Sequence, residues 1–133
     1  HHYHSFGKTW SNAGRGWVMV RADSLNAASL IHAMEAGDFY SSTGVTLKKL
    51  SFEDKKLAIE IDAEEGVTYT TSFIGVKKGA ENSEILSTTE ALESSFEMTN
   101  DLLFIRCKVT SSKLQKNPIE NLIYEMAWTQ PVF

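Results

Sequence analysis

The sequence has little cysteine and no long hydrophobic run, and each shortage excludes a class of protein. Its 133 residues include one cysteine, Cys107, which excludes an internal disulfide framework and a zinc site built from several cysteines. The longest mainly apolar run is Trp17–Val20. A helix that spans a bilayer needs about 20 apolar residues, so we expect no membrane span.

An excess of positive charge is also missing. The chain has 13 lysines and arginines against 17 aspartates and glutamates, which gives a formal net charge of −4. Nucleic-acid binding needs basic residues concentrated against phosphates, whereas these are scattered along the chain, so we expect no nucleic-acid partner. Hydrophobic residues at 42% and charged residues at 23% are typical of a folded globular domain.

The amino-terminal residues do not indicate the cellular compartment of the protein. It is polar and rich in histidine, without the apolar segment of a secretory signal. Because the chain starts at His1 rather than at methionine, we expect a fragment or a processed product. The compartment of the parent protein is therefore left without a prediction.

The amino-terminal third predicts a loop, a strand and one helix. Glycine, serine and asparagine are frequent before Trp17, which is typical of irregular structure, and Trp17–Arg21 is a strand candidate. Asn26, or alternatively Ser24, can cap a helix that ends near Gly37. The apolar residues of this helix follow the spacing i, i+3, i+4 and i+7: Ala27, Leu30, Ile31 and Met34. We expect the helix to pack through this stripe, with His32 partly buried beside it.

After Gly44 the hydrophobic pattern alternates with a period of two, which is typical of half-buried strands. The alternation is clearest over 57–61 and 103–109, while 111–120 is polar and predicts a connection. Further strands are expected at Leu47–Phe52, Val67–Val76, Ile85–Thr88, Phe96–Met98 and Leu122–Phe133. The predicted fold class is mainly β (α+β): an antiparallel, Ig-like β-sandwich preceded by a strand and one amphipathic helix.

Three histidines near the start are the only dense group of potential metal ligands in the sequence. His1, His2 and His4 could reach one ion from an extended backbone, and imidazole suits zinc, iron and manganese. A purification tag would also account for histidines at an amino end. Tyr3 within the cluster and the continuation Ser5–Gly7 count against that alternative.

No motif for nucleophilic or acid–base catalysis is visible. Ser41 and Ser42 have no histidine beside them in the sequence, and the carboxylates form no distinctive pair. Cys107 lies mid-strand on an apolar face, which favours an inert core thiol. The tryptophans could line a carbohydrate site, but aromatic residues in a small sandwich more often belong to its core.

Three stretches occur together in an order that is informative: HHYH at 1–4, GRGWVMV at 14–20 and IHAMEAGDFYSSTG at 31–44. They resemble the carboxyl-terminal part of PHP-domain (polymerase and histidinol phosphatase) metal-dependent phosphoesterases. Some two-domain members carry a β-sandwich after this part, ending in a stretch similar to AWTQP at 127–131. The resemblance covers 1–44 and, more loosely, 102–133.

The resemblance implies a metal-dependent parent enzyme that hydrolyses phosphate esters of small molecules. In that family an Asp-x-His motif supplies late ligands to a cluster of divalent metals (Zn, Mn or Fe), which activates water and holds phosphate oxygens. His1 matches the histidine of this motif, with His2 as an alternative register and His4 as a neighbour. The upstream ligand motifs and the aspartate are not in this chain, so we expect no phosphatase activity from it alone.

The resemblance also implies a division of the chain and a partner. Residues 1–44 would end a PHP-like catalytic domain, and 45–133 would form an accessory β-sandwich beside that upstream domain. A non-catalytic module that binds carbohydrate or protein is the alternative, as is a dimerisation domain. An uncovered apolar helix face would also favour association between chains, such as a homodimer.

Overall fold

The computed structural model describes residues 12–133, which contain nine strands and one helix. In chain order these are β1 (Trp17–Val20), α1 (Ala27–Glu35), β2 (Phe39–Ser42), β3 (Leu47–Glu53), β4 (Lys56–Ile61), β5 (Tyr69–Lys77), β6 (Glu84–Thr89), β7 (Glu93–Glu97), β8 (Leu102–Ile119) and β9 (Leu122–Thr129).

The strands form two antiparallel sheets. The larger sheet has the order β1-β2-β9-β8-β5-β6, and the smaller has the order β3-β4-β7. The expected mainly β, sandwich-like fold with a single helix is therefore confirmed for the described part of the chain. The larger sheet contains strands from both ends of the sequence, because β2, near the amino end, pairs with β9, the last strand.

An apolar core lies between the two sheets. The rings of Phe73 on β5 and Phe96 on β7 stack across the interface with centroids 5.7 Å apart. The side chains of a strand alternate between its two faces, so every second residue of β4 and β8 enters this core. These buried residues include Leu57, Ile59, Ile61, Ile105, Cys107 and Val109. The alternation seen in the sequence at 57–61 and 103–109 thus marks the core.

The region 111–119 is strand, and the prediction of a polar connection over 111–120 was wrong. β8 continues to Ile119, and Leu114 lies opposite Tyr124 of β9. The register of β5 with β8 ends at Ser111, so residues 112–124, here called the hairpin arm, form a two-stranded extension of the sheet. Pro118 fits there because, beyond Ser111, no described strand pairs with the edge of β8 away from β9.

The segment before Gly44 contributes a strand that the sequence analysis did not predict. Phe39–Ser42 forms β2, in which Tyr40 lies opposite both Met19 of β1 and Thr129 of β9. Strands from both sides of residue 44 therefore lie in one continuous sheet. The assignment of 1–44 to a catalytic domain stays a prediction.

Helix α1 begins and ends as expected but presents a different face. The Asn26 side chain accepts a hydrogen bond from the Ser29 amide at 2.9 Å, and Gly37 follows the helix with φ +78°. Ala33 is the buried residue of the helix. Ile31 and Met34 of the predicted packing stripe are 57% and 48% exposed, and His32 is exposed as well. The prediction that this stripe packs, with His32 partly buried, was wrong for the described residues.

Candidate functional site

The predicted metal ligands cannot be placed. His1, His2 and His4 lie outside the described residues, so the metal assignment stays a prediction. Within 12–133, no three histidine, cysteine, aspartate or glutamate side chains are grouped in a way that could hold a metal ion. The described residues therefore do not by themselves fit the metal cluster that the resemblance implies.

The candidate nucleophiles are structural. Ser42 is buried, and its hydroxyl donates to the Val45 carbonyl at 2.7 Å and accepts from the Gly44 amide at 3.0 Å. Cys107 is fully buried in the core, and this burial raises the pKa of its thiol to about 12. A thiol with so high a pKa stays protonated at neutral pH, so Cys107 is unsuited to attack a substrate.

A large apolar surface surrounds the first strand and the helix. β1 is an edge strand of the described sheet, and both of its faces carry exposed apolar side chains. Trp17 and Met19 lie on one face, and Val18 lies on the other. The helix adds its own uncovered apolar side chains. We call this the β1–α1 surface: Trp17, Val18, Met19, Leu25, Ile31 and Met34. The rest of the described chain leaves it open, although scattered single apolar residues would be unremarkable on a soluble protein.

A polar cavity of about 250 Å³ lies between the hairpin arm and the loop before β1. It collects charged and amide side chains from segments far apart in the sequence. The polar cavity is lined by Gly14, Arg15, Trp17, Thr43, Gly44, Lys113, Gln115, Lys116, Asn117 and Glu125. Three of these polar side chains belong to buried residues, namely Gln115, Asn117 and Glu125.

One lysine links two carboxylates beside this cavity. Lys113 Nζ lies 2.7 Å from both carboxylate oxygens of Glu64 and 3.6 Å from Oε1 of Glu125. The hydrogen bond with Glu64 is the main cause that raises the pKa of Lys113 above its usual value, and the negative charge of Glu125 acts in the same direction. Lys113 therefore stays charged over the physiological pH range and compensates the buried Glu125.

The buried amides of the hairpin arm fix the floor of the cavity. Gln115 Nε2 donates to the carbonyls of Leu122 and Tyr124 at 2.8 and 2.9 Å, which ties the two strands of the arm together. The Asn117 side-chain amide donates to Asn12 Oδ1, and the main-chain carbonyl of Asn117 accepts from Arg15 Nε at 3.1 Å. These bonds join the arm to the loop before β1, so the cavity has defined walls.

The sequence pattern did not predict this cavity. Lys113, Gln115 and Asn117 recur at every second position, which is the spacing of one face of a strand. That spacing was available in the sequence. The spacing did not indicate a strand because a polar face shows no alternation of hydrophobic and polar residues. The neighbours of Glu125 in the sequence likewise gave no sign that this carboxylate is buried.

A second, larger groove of about 740 Å³ runs between the β1–β2 end of the larger sheet and the edge strand β3. Arg21 bridges it, donating to the Leu50 carbonyl at 3.0 Å and to Asp38 Oδ1 at 2.6 Å. The guanidinium thus covers an outward-facing carbonyl of β3, which protects this edge from pairing with another strand.

Comparisons with protein-family models, with curated proteins and with solved structures found no match to this chain. Within 12–133, the helix is far too short to cross a membrane.

Proposed function

We propose that this chain is the carboxyl-terminal part of a PHP-like metal-dependent phosphoesterase. In this proposal β1 and α1 complete the catalytic domain, and the β-sandwich is an accessory unit attached to it. The observation that carries the proposal is the β1–α1 surface, which remains exposed in the described part of the chain.

The pattern of β1 supports contact with an α/β domain. Trp17–Val20 is apolar at every position, so both faces of the strand favour burial. Such continuous apolar strands are typical of α/β sheets, whose two faces are both covered by helices. The strands of the sandwich core differ, because they alternate apolar and polar residues.

The helix supports the same partner. α1 follows β1 directly and exposes Ile31 and Met34. β1 pairs antiparallel with β2, the strand that follows α1, so β1-α1-β2 is not a parallel βαβ unit, and the support comes from the open apolar face of the helix, which favours a further layer packed on it. An upstream α/β domain would therefore cover both the strand and the helix.

The residues present determine which roles in the proposed enzyme belong to this chain and which belong to the upstream domain. The family resemblance assigns one metal ligand to His1, with His2 or His4 as alternatives, and the remaining ligands to the upstream domain. A divalent metal bound there would supply activated water and would hold phosphate oxygens. No catalytic step falls to residues 12–133. Their proposed role is to complete the catalytic domain with β1 and α1 and to form the accessory β-sandwich attached to it.

The first test reads the coding sequence upstream of His1 and assays two proteins, this chain and the chain with its upstream domain. With manganese or zinc, we expect hydrolysis of p-nitrophenyl phosphate by the longer protein and none by this chain. An upstream sequence without a His-x-His motif and further acidic ligand motifs would refute the proposal. Turnover by the isolated chain would refute its claim that no catalytic step lies here.

The second test examines the β1–α1 surface in the longer protein. Ile31→Asp combined with Met34→Asp should lower activity and loosen the attachment of the upstream domain, measured by limited proteolysis. Ile85→Asp is the matched control, because Ile85 is 66% exposed on β6, away from this surface. Equal effects of the two changes would contradict the proposed contact.

A further inference from the structure

We propose that the polar cavity binds the phosphate group of a small molecule. The ligand class is phosphate, either free or as a monoester. This site uses residues 12–133 and needs no metal, so it can be tested apart from the function proposed above, with which it shares only Trp17 of the β1–α1 surface.

The charge of the cavity favours an anion. Among the described residues that line it, Arg15, Lys113 and Lys116 are cationic and Glu125 is the one carboxylate. Lys113 is paired with Glu125 and, from outside the cavity, with Glu64, so the cations of this described set exceed its carboxylates by one when Glu64 is counted. A locally positive site is notable because the whole chain has a net charge of −4.

The donors around the cavity suit phosphate rather than a metal ion. Lysine and arginine side chains donate hydrogen bonds and accept none, so they favour oxygen-rich anions and repel cations. Lys116 is exposed at the cavity and forms no ion pair among the described residues. It is therefore the cation that a ligand could bind without displacing an existing partner.

The backbone of the cavity also permits close approach of a ligand. Gly14 and Gly44 both line it, and Gly14 has φ +76°. At Gly14 the missing Cβ allows a ligand to approach the main chain, as in many phosphate-binding loops, whereas the corresponding space at Gly44 is filled by Glu125. The volume of about 250 Å³ lies below the range of about 300–1,000 Å³ for drug-sized ligands, which fits a single phosphate group.

Trp17 gives the cavity a place for the rest of the ligand. Its indole is 46% exposed and lies among the lining residues. A flat aromatic face can support the apolar face of a sugar ring attached to the phosphate. A sugar phosphate should therefore bind more tightly than free phosphate.

The experiment is a titration of the metal-free 133-residue chain in the presence of EDTA, followed by NMR chemical shifts of backbone amides. The probes are inorganic phosphate, glucose 6-phosphate and glucose. We expect both phosphates to shift Gly14, Gly44 and the hairpin arm, and glucose to shift none of them. Tighter binding of glucose 6-phosphate would identify a monoester as the ligand, and equal binding would identify free phosphate; either result supports the site.

The decisive variant is Lys116→Gln, because this exposed residue can be changed without disturbing the fold. Loss of one charged donor to phosphate should weaken binding about tenfold. Lys78→Gln, in the turn after β5, is the control and should leave binding unchanged. The proposal is overturned if neither phosphate binds at millimolar concentration, if glucose binds as well as its phosphate, or if Lys116→Gln binds like the unmodified chain. EDTA keeps these outcomes independent of the metal-dependent hydrolysis proposed above.

Discussion

The carboxyl group of Glu125 occupies the space that a side chain on residue 44 would need. A Cβ atom added to Gly44 would lie 2.2 Å from Cδ of Glu125, which is far inside any normal contact. Gly44 also has φ +154°, a conformation that other residues rarely adopt. Glycine is therefore required here by both the backbone and the buried carboxylate. This gives a structural reason for the last residue of the YSSTG stretch.

Gly44→Ala should lower the free energy of unfolding by about 2–4 kcal/mol, because it combines backbone strain with displacement of Glu125. Gly66→Ala is the matched control, since Gly66 has φ +75° and no atom within 4 Å of an added Cβ. It should cost only the strain, about 1–2 kcal/mol. Chemical denaturation followed by tryptophan fluorescence measures both changes. Equal losses would show that contact with Glu125 is unimportant.

Tyr40→Phe should destabilise the fold by about 1–2 kcal/mol. The Tyr40 hydroxyl accepts a hydrogen bond from the Leu47 amide at 3.0 Å, and Tyr40 is 7% exposed. Without the hydroxyl, the amide at the start of β3 loses its acceptor. Tyr124→Phe, at an exposed position of the hairpin arm, should leave the denaturation midpoint unchanged. A midpoint that Tyr40→Phe does not move would contradict the prediction.

Cys107 should make stability fall at high pH. Burial raises the pKa of this thiol from 9.0 to about 12 in the folded chain. The unfolded chain therefore releases the proton at lower pH than the folded chain, so this contribution is complete below about pH 9 and is lost as pH rises towards 12. Unfolding of the unmodified chain and of Cys107→Ala should be compared over this range.

The advantage of the unmodified chain over Cys107→Ala should shrink as pH rises. Differences between the two proteins isolate the thiol, because the lysines and tyrosines that also titrate at high pH are common to both. A gap that stays constant from pH 8 to 11 would mean that the thiol ionises in the folded state as it does in water. Rapid modification of native Cys107 by a thiol reagent at pH 8 would lead to the same conclusion.

The β1–α1 surface should bind a hydrophobic dye in the isolated chain. Ile31→Lys with Met34→Lys should reduce the fluorescence of bound anilinonaphthalene sulfonate about twofold or more, because both residues are exposed apolar side chains of this surface. Ile85→Lys removes an exposed apolar residue on β6 and should change the signal much less. If it reduces the signal equally, the dye does not bind at this surface.

Hydrophobic alternation predicted the sandwich well because the core depends on it. Every second side chain is buried over 57–61 and over 105–109, so the local pattern and the long-range packing agree there, whereas Leu103 at the start of the second alternation is 46% exposed. The cap at Asn26 and the helix end near Gly37 were predictable for a similar reason, since both depend on nearby backbone groups.

The remaining features depend on contacts between distant parts of the chain. β2 is short and contains Ser41 and Ser42, which are weak strand formers, and it forms because β1 and β9 lie on either side of it. The hairpin arm has no hydrophobic face towards the core, so its alternation was visible only in polar residues. The exposed stripe of α1 could not be anticipated from its periodicity, which shows that a face is apolar but not what covers it.

The position of β2 beside β9 constrains how the chain can fold during synthesis. The first two strands emerge from the ribosome early, yet the neighbour of β2 in the larger sheet is complete only when Thr129 has been added. Until then the edge of β2 that pairs with β9 is open, and β2 is the one described strand that pairs with β1. Such long-range pairing slows folding and prolongs the exposure of apolar strands that can aggregate. We therefore expect the nascent chain to depend on chaperones most strongly between the synthesis of β2 and the synthesis of β9.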